Sequence, residues 1–146
     1  MKKILYLLAL LALVSCEPRI DMDMSQWGDH AYIDNVEIDK LDIDDNAKLA
    51  EYYQNETPIA MTGVRQIVIS QGKSEIDSLD FVATVKLKAG EELKYAALKI
   101  YHKGTHVKPL NNTPKAGIVT DLSKGELKYR VLSADGSKHD WTIKFK

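Results

Sequence analysis

His102 and His106 are the first pair of residues whose types and spacing could do chemistry, because two imidazoles four residues apart on a helix can chelate a metal ion. Gly104 lies between them, and His102 ends an alternating run that is typical of a strand. The segment therefore lacks the helical geometry that the pair needs, and no third ligand lies nearby in the sequence. We predict no metal and no cofactor in this chain.

The segment Asp42–Asn46 concentrates carboxylate and amide oxygens, the ligands that hard cations such as Ca²⁺ prefer. It resembles the beginning of a calcium-binding loop, but it lacks the central glycine and the distal bidentate glutamate of an EF-hand. A solvated acidic turn is the favoured interpretation, and calcium binding stays open.

Ser70 and Lys73 fit the Ser-x-x-Lys pattern, which serves catalysis in penicillin-recognising enzymes when it lies on a helix with accessory motifs. Gly72 and the surrounding β-branched residues argue against a helix here. The sequence also lacks a nucleophile elbow, a phosphate-binding glycine loop and a Ser/His/Asp set. We therefore predict that the chain is not an enzyme.

Four aromatic residues outside the regular alternating runs, and Tyr101 on the strand face opposite Leu98 and Ile100, offer a candidate binding surface, because exposed rings can stack on sugar rings or on a partner protein. For each ring singly, core packing or simple surface exposure is the alternative. Trp141, in contrast, belongs to an alternating run and is predicted to be core. The candidate stacking residues are Trp27, Tyr32, Tyr52, Tyr53 and Tyr101.

The elements that must position these side chains are mostly strands. Apolar residues occupy every second position from Leu79 to Leu87, and Leu98 and Ile100 alternate with Lys99 and Tyr101, which predicts two strands. Two further runs, Leu127–Val131 and Trp141–Phe145, are joined by a turn that contains Asp135-Gly136, so the C-terminus predicts a β-hairpin.

The remaining periodic segments are weaker. Val64–Ile69 is rich in β-branched residues, and the apolar pattern from Val36 to Ile43 changes face at Asp39-Lys40, as a β-bulge would cause. Ala47–Tyr53 is the one predicted helix, about two turns long, and it would need tertiary packing to persist. Short strands with almost no helix predict an all-β fold, an antiparallel β-sandwich.

Charge is distributed unevenly along the chain. The net charge is −1, but residues 16–56 hold twelve acidic and three basic residues, whereas residues 57–146 hold nine acidic and fifteen basic ones. The lysines alternate with apolar residues instead of clustering, so we interpret them as the solvated faces of strands and predict no nucleic-acid partner. The single cysteine excludes an internal disulfide.

The N-terminus has the pattern of a secretory signal: Lys2-Lys3 precede an apolar run from Ile4 to Val14 that is too short to span a membrane. Leu13-Val14-Ser15-Cys16 resembles the lipobox of bacterial lipoproteins. The resemblance implies a lipidated Cys16 (a thioether-linked diacylglycerol, with an acyl chain such as palmitate on the amine) and anchoring in the outer membrane, on the surface or periplasmic face. The alternative is an ordinary secretory signal that leaves Cys16 as a free thiol.

The second half of the chain resembles the Ig-like domain of Bacteroidetes surface lipoproteins. The resemblance lies in an apolar strand, a Gly-x-x-Leu connection, a proline-containing turn, an Asp-Leu-Ser corner and a hairpin before an aromatic strand. It is carried by Phe81–Leu87, Ala89–Leu93, Val107–Pro109, Asp121–Ser123, Tyr129–Ser137 and Trp141–Ile143. The resemblance implies an Ig-like β-sandwich, of a kind associated with glycan-utilisation proteins of the envelope.

These observations predict a signal peptide (residues 1–15), a lipid-anchored flexible tether (16–30) and an Ig-like β-sandwich domain (31–146). The expected function is non-catalytic binding or scaffolding in the envelope, with a glycan or an envelope protein as partner and a carbohydrate-associated role. The alternative is a structural adhesion or pilus-type subunit that accepts a donor strand at a sheet edge.

Overall fold

The computed structural model describes residues 23–124 and 126–146, so the predicted signal peptide and Cys16 lie outside the described residues. Within these residues, eight strands and one α-helix follow one another. The strands are β1 (Ile33–Leu41), β2 (Gln66–Val68), β3 (Glu75–Asp77), β4 (Val82–Val85), β5 (Ala96–His102), β6 (His106–Pro109), β7 (Leu127–Leu132) and β8 (Lys138–Phe145), and the helix α1 (Asn46–Gln54) connects β1 to β2.

The strands form two sheets, one in the order β2-β1-β5 and one in the order β3-β4-β8-β7-β6. The predicted all-β sandwich is therefore confirmed, and so is the C-terminal hairpin, in which Tyr129 lies opposite Trp141. One pair departs from the antiparallel prediction: β4 runs parallel to β8, with Ala83 beside Ile143. Alternation shows which face of a strand is buried but carries no information on the direction of its neighbour.

The main core lies between the two sheets and brings together the alternating apolar residues of β1, β4, β5, β7 and β8. Trp141 is fully buried there, as predicted, and its indole Nε1 donates a hydrogen bond of 3.0 Å to the carbonyl oxygen of Ala31. The large fully buried side chains of this core include Trp141, Tyr129, Ile38, Ile69, Leu98, Leu122 and Ile143.

The predicted bulge at Asp39-Lys40 is wrong. Strand β1 pairs with β5 without interruption there, and the irregularity in register lies between Ile33 and Asn35 instead. The apolar pattern changes face because β1 is buried on both sides: Ile38 contributes to the main core, whereas Leu41 packs in a second cluster with Ile59, Ala97 and Val119.

The predicted strand at Leu79–Leu87 is shorter than the alternation indicated, because β4 spans only Val82–Val85. The Asp77 carboxylate accepts hydrogen bonds from the backbone N–H groups of Leu79 and Asp80, at 3.0 and 3.1 Å, and holds a turn in which Leu79 is 91% exposed. Phe81 follows with a left-handed backbone, φ 53°. A local side-chain hydrogen bond therefore overrides the strand pattern at this end.

The predicted helix is confirmed as α1, which Asp45 caps by accepting hydrogen bonds from the N–H groups of Ala47 and Lys48. Leu49 and Tyr52 on this helix pack against the second cluster, which supplies the tertiary contact that so short a helix needs. Among the described residues, no helix is both long and apolar enough to cross a membrane.

Residues 117–120, outside the named strands, cover the start of the free edge of β5, and the segment that begins the 3-10 turn at Ile59 pairs with them in turn. Gly117 and Thr120 donate backbone hydrogen bonds of 2.7 and 2.9 Å to Leu98 and Ala96, and Ile59 donates one of 2.9 Å to Gly117. These segments bring the end of α1 close to the loop that follows β6.

The chain contacts the C-terminal hairpin just before the predicted start of the domain at residue 31. Asp29 shares a hydrogen bond of 2.5 Å with the imidazole of His139, and the backbone N–H of His30 donates one of 3.0 Å to the Ser133 hydroxyl. The hydrogen bond from the Ala31 N–H, followed by that from His139, holds the pKa of Asp29 below its usual range. The segment next to the predicted domain boundary is thus tied to the hairpin.

Candidate functional site

The five candidate stacking residues lie in different places. Tyr32 is half-buried, packed on Phe81 and Trp141. Trp27, 57% exposed, lies on a 3-10 turn near the N-terminus, and Tyr101, 47% exposed, lies near the end of β5. Tyr52 is half-buried against the second cluster, so of the five only Tyr53, 38% exposed, lines a cavity described below.

Tyr53 packs against a residue that the sequence did not single out. The rings of Tyr53, on the last turn of α1, and Tyr95, just before β5, have centroids 6.1 Å apart and planes at 66°. The Lys94 ammonium lies 5.0 Å from the centroid of the Tyr95 ring. The only sequence signal for Tyr95 is an aromatic residue between a lysine and a strand, which is too common to be informative.

Cavities lie on both sides of this tyrosine pair. On the Tyr53 side, two adjoining cavities of about 450 and 470 Å³ share Tyr53, Thr113, Pro114 and Thr120, and we call them together the Tyr53 groove. On the other side, a cavity of about 790 Å³ is lined by Tyr95 and by residues from the end of β1 and the start of α1, and we call it the Tyr95 cavity. Tyr53 lines only the groove and Tyr95 lines only the cavity, and we call this pair of contacting rings the ridge.

The loop after β6 forms one wall of the Tyr53 groove and is fixed by hydrogen bonds. The Tyr129 hydroxyl donates one of 2.8 Å to the carbonyl oxygen of Pro114, and the backbone N–H of Lys128 donates one of 3.0 Å to the Thr113 hydroxyl. Burial raises the pKa of Tyr129, which therefore stays a hydrogen-bond donor at physiological pH. The groove wall is thus preorganised from the core.

Backbone strain is concentrated around the ridge. Among the described residues, four that are not glycine have φ in the left-handed region. Three of them, Glu56 (φ 48°), Tyr95 (φ 54°) and Asn111 (φ 54°), line the Tyr53 groove or the Tyr95 cavity. Glu56 follows the C-cap of α1, where a left-handed residue is usual, and asparagine tolerates this region, so the strain falls chiefly on Tyr95, and strained residues cluster at binding sites.

The charged residues of the Tyr53 groove form pairs of opposite sign. Lysine ammonium groups lie 3.7 Å from carboxylates in three pairs: Lys115 with Glu56, Lys124 with Asp121, and Lys128 with Glu126. A hydrogen bond from the Ser123 hydroxyl is the main cause that holds the pKa of Asp121 below its usual range. The groove therefore offers charged groups whose charges cancel, together with the amides of Asn111 and Asn112.

The other residues singled out for chemistry have structural partners. Asp45 caps α1, and Asp42 forms an ion pair with Arg65, while Asp44 is exposed at the Tyr95 cavity. The Ser70 hydroxyl is buried and accepts a hydrogen bond of 3.3 Å from the Ile38 N–H.

His102 and His106 lie at the two ends of the turn between β5 and β6. In residues 23–124 and 126–146, no group of three or more His, Cys, Asp or Glu side chains could hold a metal ion.

Comparisons with known proteins extend this description. Residues 80–144 match the model of a family described as DUF5018-related. The structure is similar to the crystal structure of a Bacteroides fragilis protein inferred to be secreted, with a TM-score of 0.56 and 25% sequence identity over 80% of this chain and 94% of that one. No curated protein matches. These similarities are consistent with a Bacteroidetes envelope protein.

Proposed function

We propose that this chain is a non-catalytic, lipid-anchored envelope protein that binds a glycan at the Tyr53 groove. The observation that carries the proposal is the left-handed backbone of Tyr95, whose ring packs on the exposed ring of Tyr53 while the two tyrosines line different cavities. A strained backbone position that carries a side chain instead of glycine is expected where that side chain contacts a ligand.

The chemistry of the groove favours a sugar. A half-exposed tyrosine ring offers an apolar face for the C–H groups of a pyranose, and the neighbouring amides and carboxylates can exchange hydrogen bonds with its hydroxyls. Most residues that line the groove are polar, which suits the capture of a ligand rich in hydroxyl groups.

Anchoring at the outer membrane by Cys16 is part of the proposal. It is supported by the lipobox-like Leu13-Val14-Ser15-Cys16 and by the similarity to a Bacteroides fragilis protein inferred to be secreted. Mass spectrometry of the N-terminal peptide from cell envelopes should find Cys16 carrying lipid. An unmodified Cys16, or a protein recovered only from the culture medium, would contradict the anchor.

The alternative of a strand-accepting subunit is less favoured by the sheet edges. The outermost strands β2 and β3 have three residues each, and β6 has four and ends at Pro109, which has no N–H to donate. The fourth outermost strand, β5, has seven residues, and residues 117–120 cover its start. Short edges give a donor strand few backbone partners. Ladders of oligomers on unheated gels would support the alternative, whereas a monodisperse monomer would count against it.

The glycan proposal is tested with the matched variants Tyr53→Ala and Tyr101→Ala. Both remove an exposed tyrosine ring, but Tyr101 lies six residues beyond Tyr95, about 20 Å away at the rise of an extended strand. Glycan-array screening followed by isothermal titration should show at least a tenfold loss of affinity for Tyr53→Ala, typical of a central contact residue, and none for Tyr101→Ala. Equal losses, or no glycan bound by the wild type, would refute the proposal.

A further inference from the structure

We infer that the ligand is an uncharged sugar chain of several units that crosses the Tyr53–Tyr95 ridge and occupies both the Tyr53 groove and the Tyr95 cavity. The inference rests on the proposed function and deepens it, because it names the charge and the length of the glycan. It also assigns the Tyr95 cavity as a second subsite.

The geometry of the ridge argues for a chain. The planes of the Tyr53 and Tyr95 rings meet at 66°, so a single flat sugar ring cannot stack on both. Two consecutive sugar rings of a twisted chain can contact one tyrosine each. The ridge therefore matches a ligand with at least two units.

The volumes on the two sides of the ridge support the same conclusion. The Tyr95 cavity, at about 790 Å³, already lies in the range of a complete small-molecule site, and cavities of about 450 and 470 Å³ adjoin the ridge on the other side. A monosaccharide would leave most of this surface in contact with water. A chain that continues over the ridge would use both sides.

The Tyr95 cavity has an apolar floor and a polar rim. Leu41, Ile43 and Leu49 contribute the apolar part, and Leu41 is only 3% exposed. Lys94 and Glu92 are exposed on the rim, where they can donate to and accept from hydroxyl groups. This combination suits a sugar ring, whose faces present C–H groups and whose edge presents hydroxyl groups.

The charges around the ridge argue for an uncharged chain. Each lysine of the Tyr53 groove lies beside a carboxylate, and in the Tyr95 cavity Lys40 pairs with Glu91 at 2.5 Å. Asp42 on the lining of that cavity pairs with Arg65, so Lys94 is outnumbered there by Asp44 and Glu92. A uronate-containing or sulfated chain would find no excess of cations here and would be repelled by these acids.

The experiment uses the full mature chain on an array that carries neutral glycans of one to eight units and uronate-containing glycans of the same lengths. We expect binding to neutral chains only, with an affinity that rises at least tenfold from one unit to four. Binding that is restricted to acidic chains, or that is equal for monosaccharide and oligosaccharide, would overturn the inference and leave the proposed function standing. Failure to bind any glycan would overturn the proposed function itself.

Two variants then test the second subsite on the neutral chain that binds best. Tyr95→Ala and Lys94→Ala should each reduce the affinity for the long chain while leaving that for the shortest bound fragment unchanged, because the short fragment occupies the Tyr53 groove. Tyr95 packs against the second cluster, so folding is checked by circular dichroism. Because Lys94 is exposed, Lys94→Ala should fold and provides the test if Tyr95→Ala does not fold. Unchanged affinity for the long chain in Lys94→Ala and in any folded Tyr95→Ala would overturn the inference.

Discussion

The hydroxyl of Tyr129 donates a hydrogen bond of 2.8 Å to the carbonyl oxygen of Pro114 and so joins the main core to the wall of the Tyr53 groove. Tyr129 has no exposed surface and lies on β7 opposite Trp141, whereas Pro114 lines both cavities of the groove. The shape of the groove is therefore set by a side chain that no ligand would touch.

Tyr129→Phe tests this relationship. The variant keeps the ring but leaves the Pro114 carbonyl without its donor, so we expect the free energy of unfolding to fall by about 1 kcal/mol, measured by urea denaturation. Glycan affinity should fall several-fold because the loop loses one of the two hydrogen bonds that fix it, and only the bond from the Lys128 N–H to Thr113 remains. Tyr101→Phe, which removes a hydroxyl from an exposed ring, is the matched control and should change neither quantity. An unchanged affinity in a destabilised Tyr129→Phe would show that the bond serves stability alone.

Lys99→Met tests the ion pair on the outer face of β1 and β5. Asp39 is 1% exposed, its Oδ2 contacts the Lys99 ammonium, and its Oδ1 has no hydrogen-bond partner among the described residues. Removing the lysine leaves a buried carboxylate uncompensated, which should cost about 3 kcal/mol, the lower end of the usual range because the Lys99 side chain is 35% exposed.

The double variant Asp39→Asn/Lys99→Met should recover part of that loss, since no charge then remains buried.

Burial lowers the pKa of Lys99, but the hydrogen bond and the charge of Asp39 outweigh it and raise the pKa overall. The contribution of Lys99 to stability is therefore fully present below the ordinary lysine pKa and is lost as the pH rises through the raised one. Equal stability of Lys99→Met and wild type would contradict this account.

Sequence periodicity predicted the strands that bury only one of their two faces. The strands around Leu98 and Val131, the C-terminal hairpin and the buried Trp141 follow from alternation and from the Asp135-Gly136 turn. Alternation failed at Asp39-Lys40, where a strand buried on both faces resembles a bulge, and at Leu79, where the Asp77 carboxylate forms a turn.

The candidate site was only partly predictable. Tyr53 was a candidate because it lies outside the alternating runs, but its partner Tyr95 is brought to it by the packing of α1 against the start of β5. The left-handed backbone of Tyr95 and of Glu56 has no sequence signal, because neither residue type favours that conformation. Sites assembled from such distant segments depend on tertiary contacts that a local pattern does not contain.

Gly104→Ala tests the close approach of the turn between β5 and β6 to β7. A Cβ atom on this residue would lie 2.3 Å from the Leu132 carbonyl oxygen and 2.7 Å from Cγ1 of Val131. The backbone would have to shift and weaken the hydrogen bond of 2.7 Å from the Thr105 N–H to Leu132, so we expect a loss of about 1–3 kcal/mol in urea denaturation. Lys103→Ala, a change at an exposed neighbour, should stay within about 0.5 kcal/mol of wild type. A Gly104→Ala variant as stable as that control would disprove the steric constraint.

Glu75 on the edge strand β3 should make stability depend on acid pH. Its carboxylate contacts Lys146 at 2.6 Å and Lys86 at 2.9 Å, and the hydrogen bonds from these two lysines lower its pKa to about 2. Because the folded-state pKa lies below the unfolded one, the stabilisation is fully present above the ordinary glutamate pKa and is lost as the pH falls through about 2. The pair of contacts joins β3 to the residues that follow β4 and β8, so protonation releases an edge of the five-stranded sheet.

Melting temperatures measured from pH 5 to pH 2 should fall less steeply for Glu75→Gln than for wild type, and 1 M NaCl should reduce the difference because all three groups are exposed to solvent. Glu126→Gln, which removes an exposed carboxylate 3.7 Å from Lys128, is the matched control and should follow the wild-type slope. Parallel curves for Glu75→Gln and wild type would show that the two lysines do not stabilise the fold through Glu75.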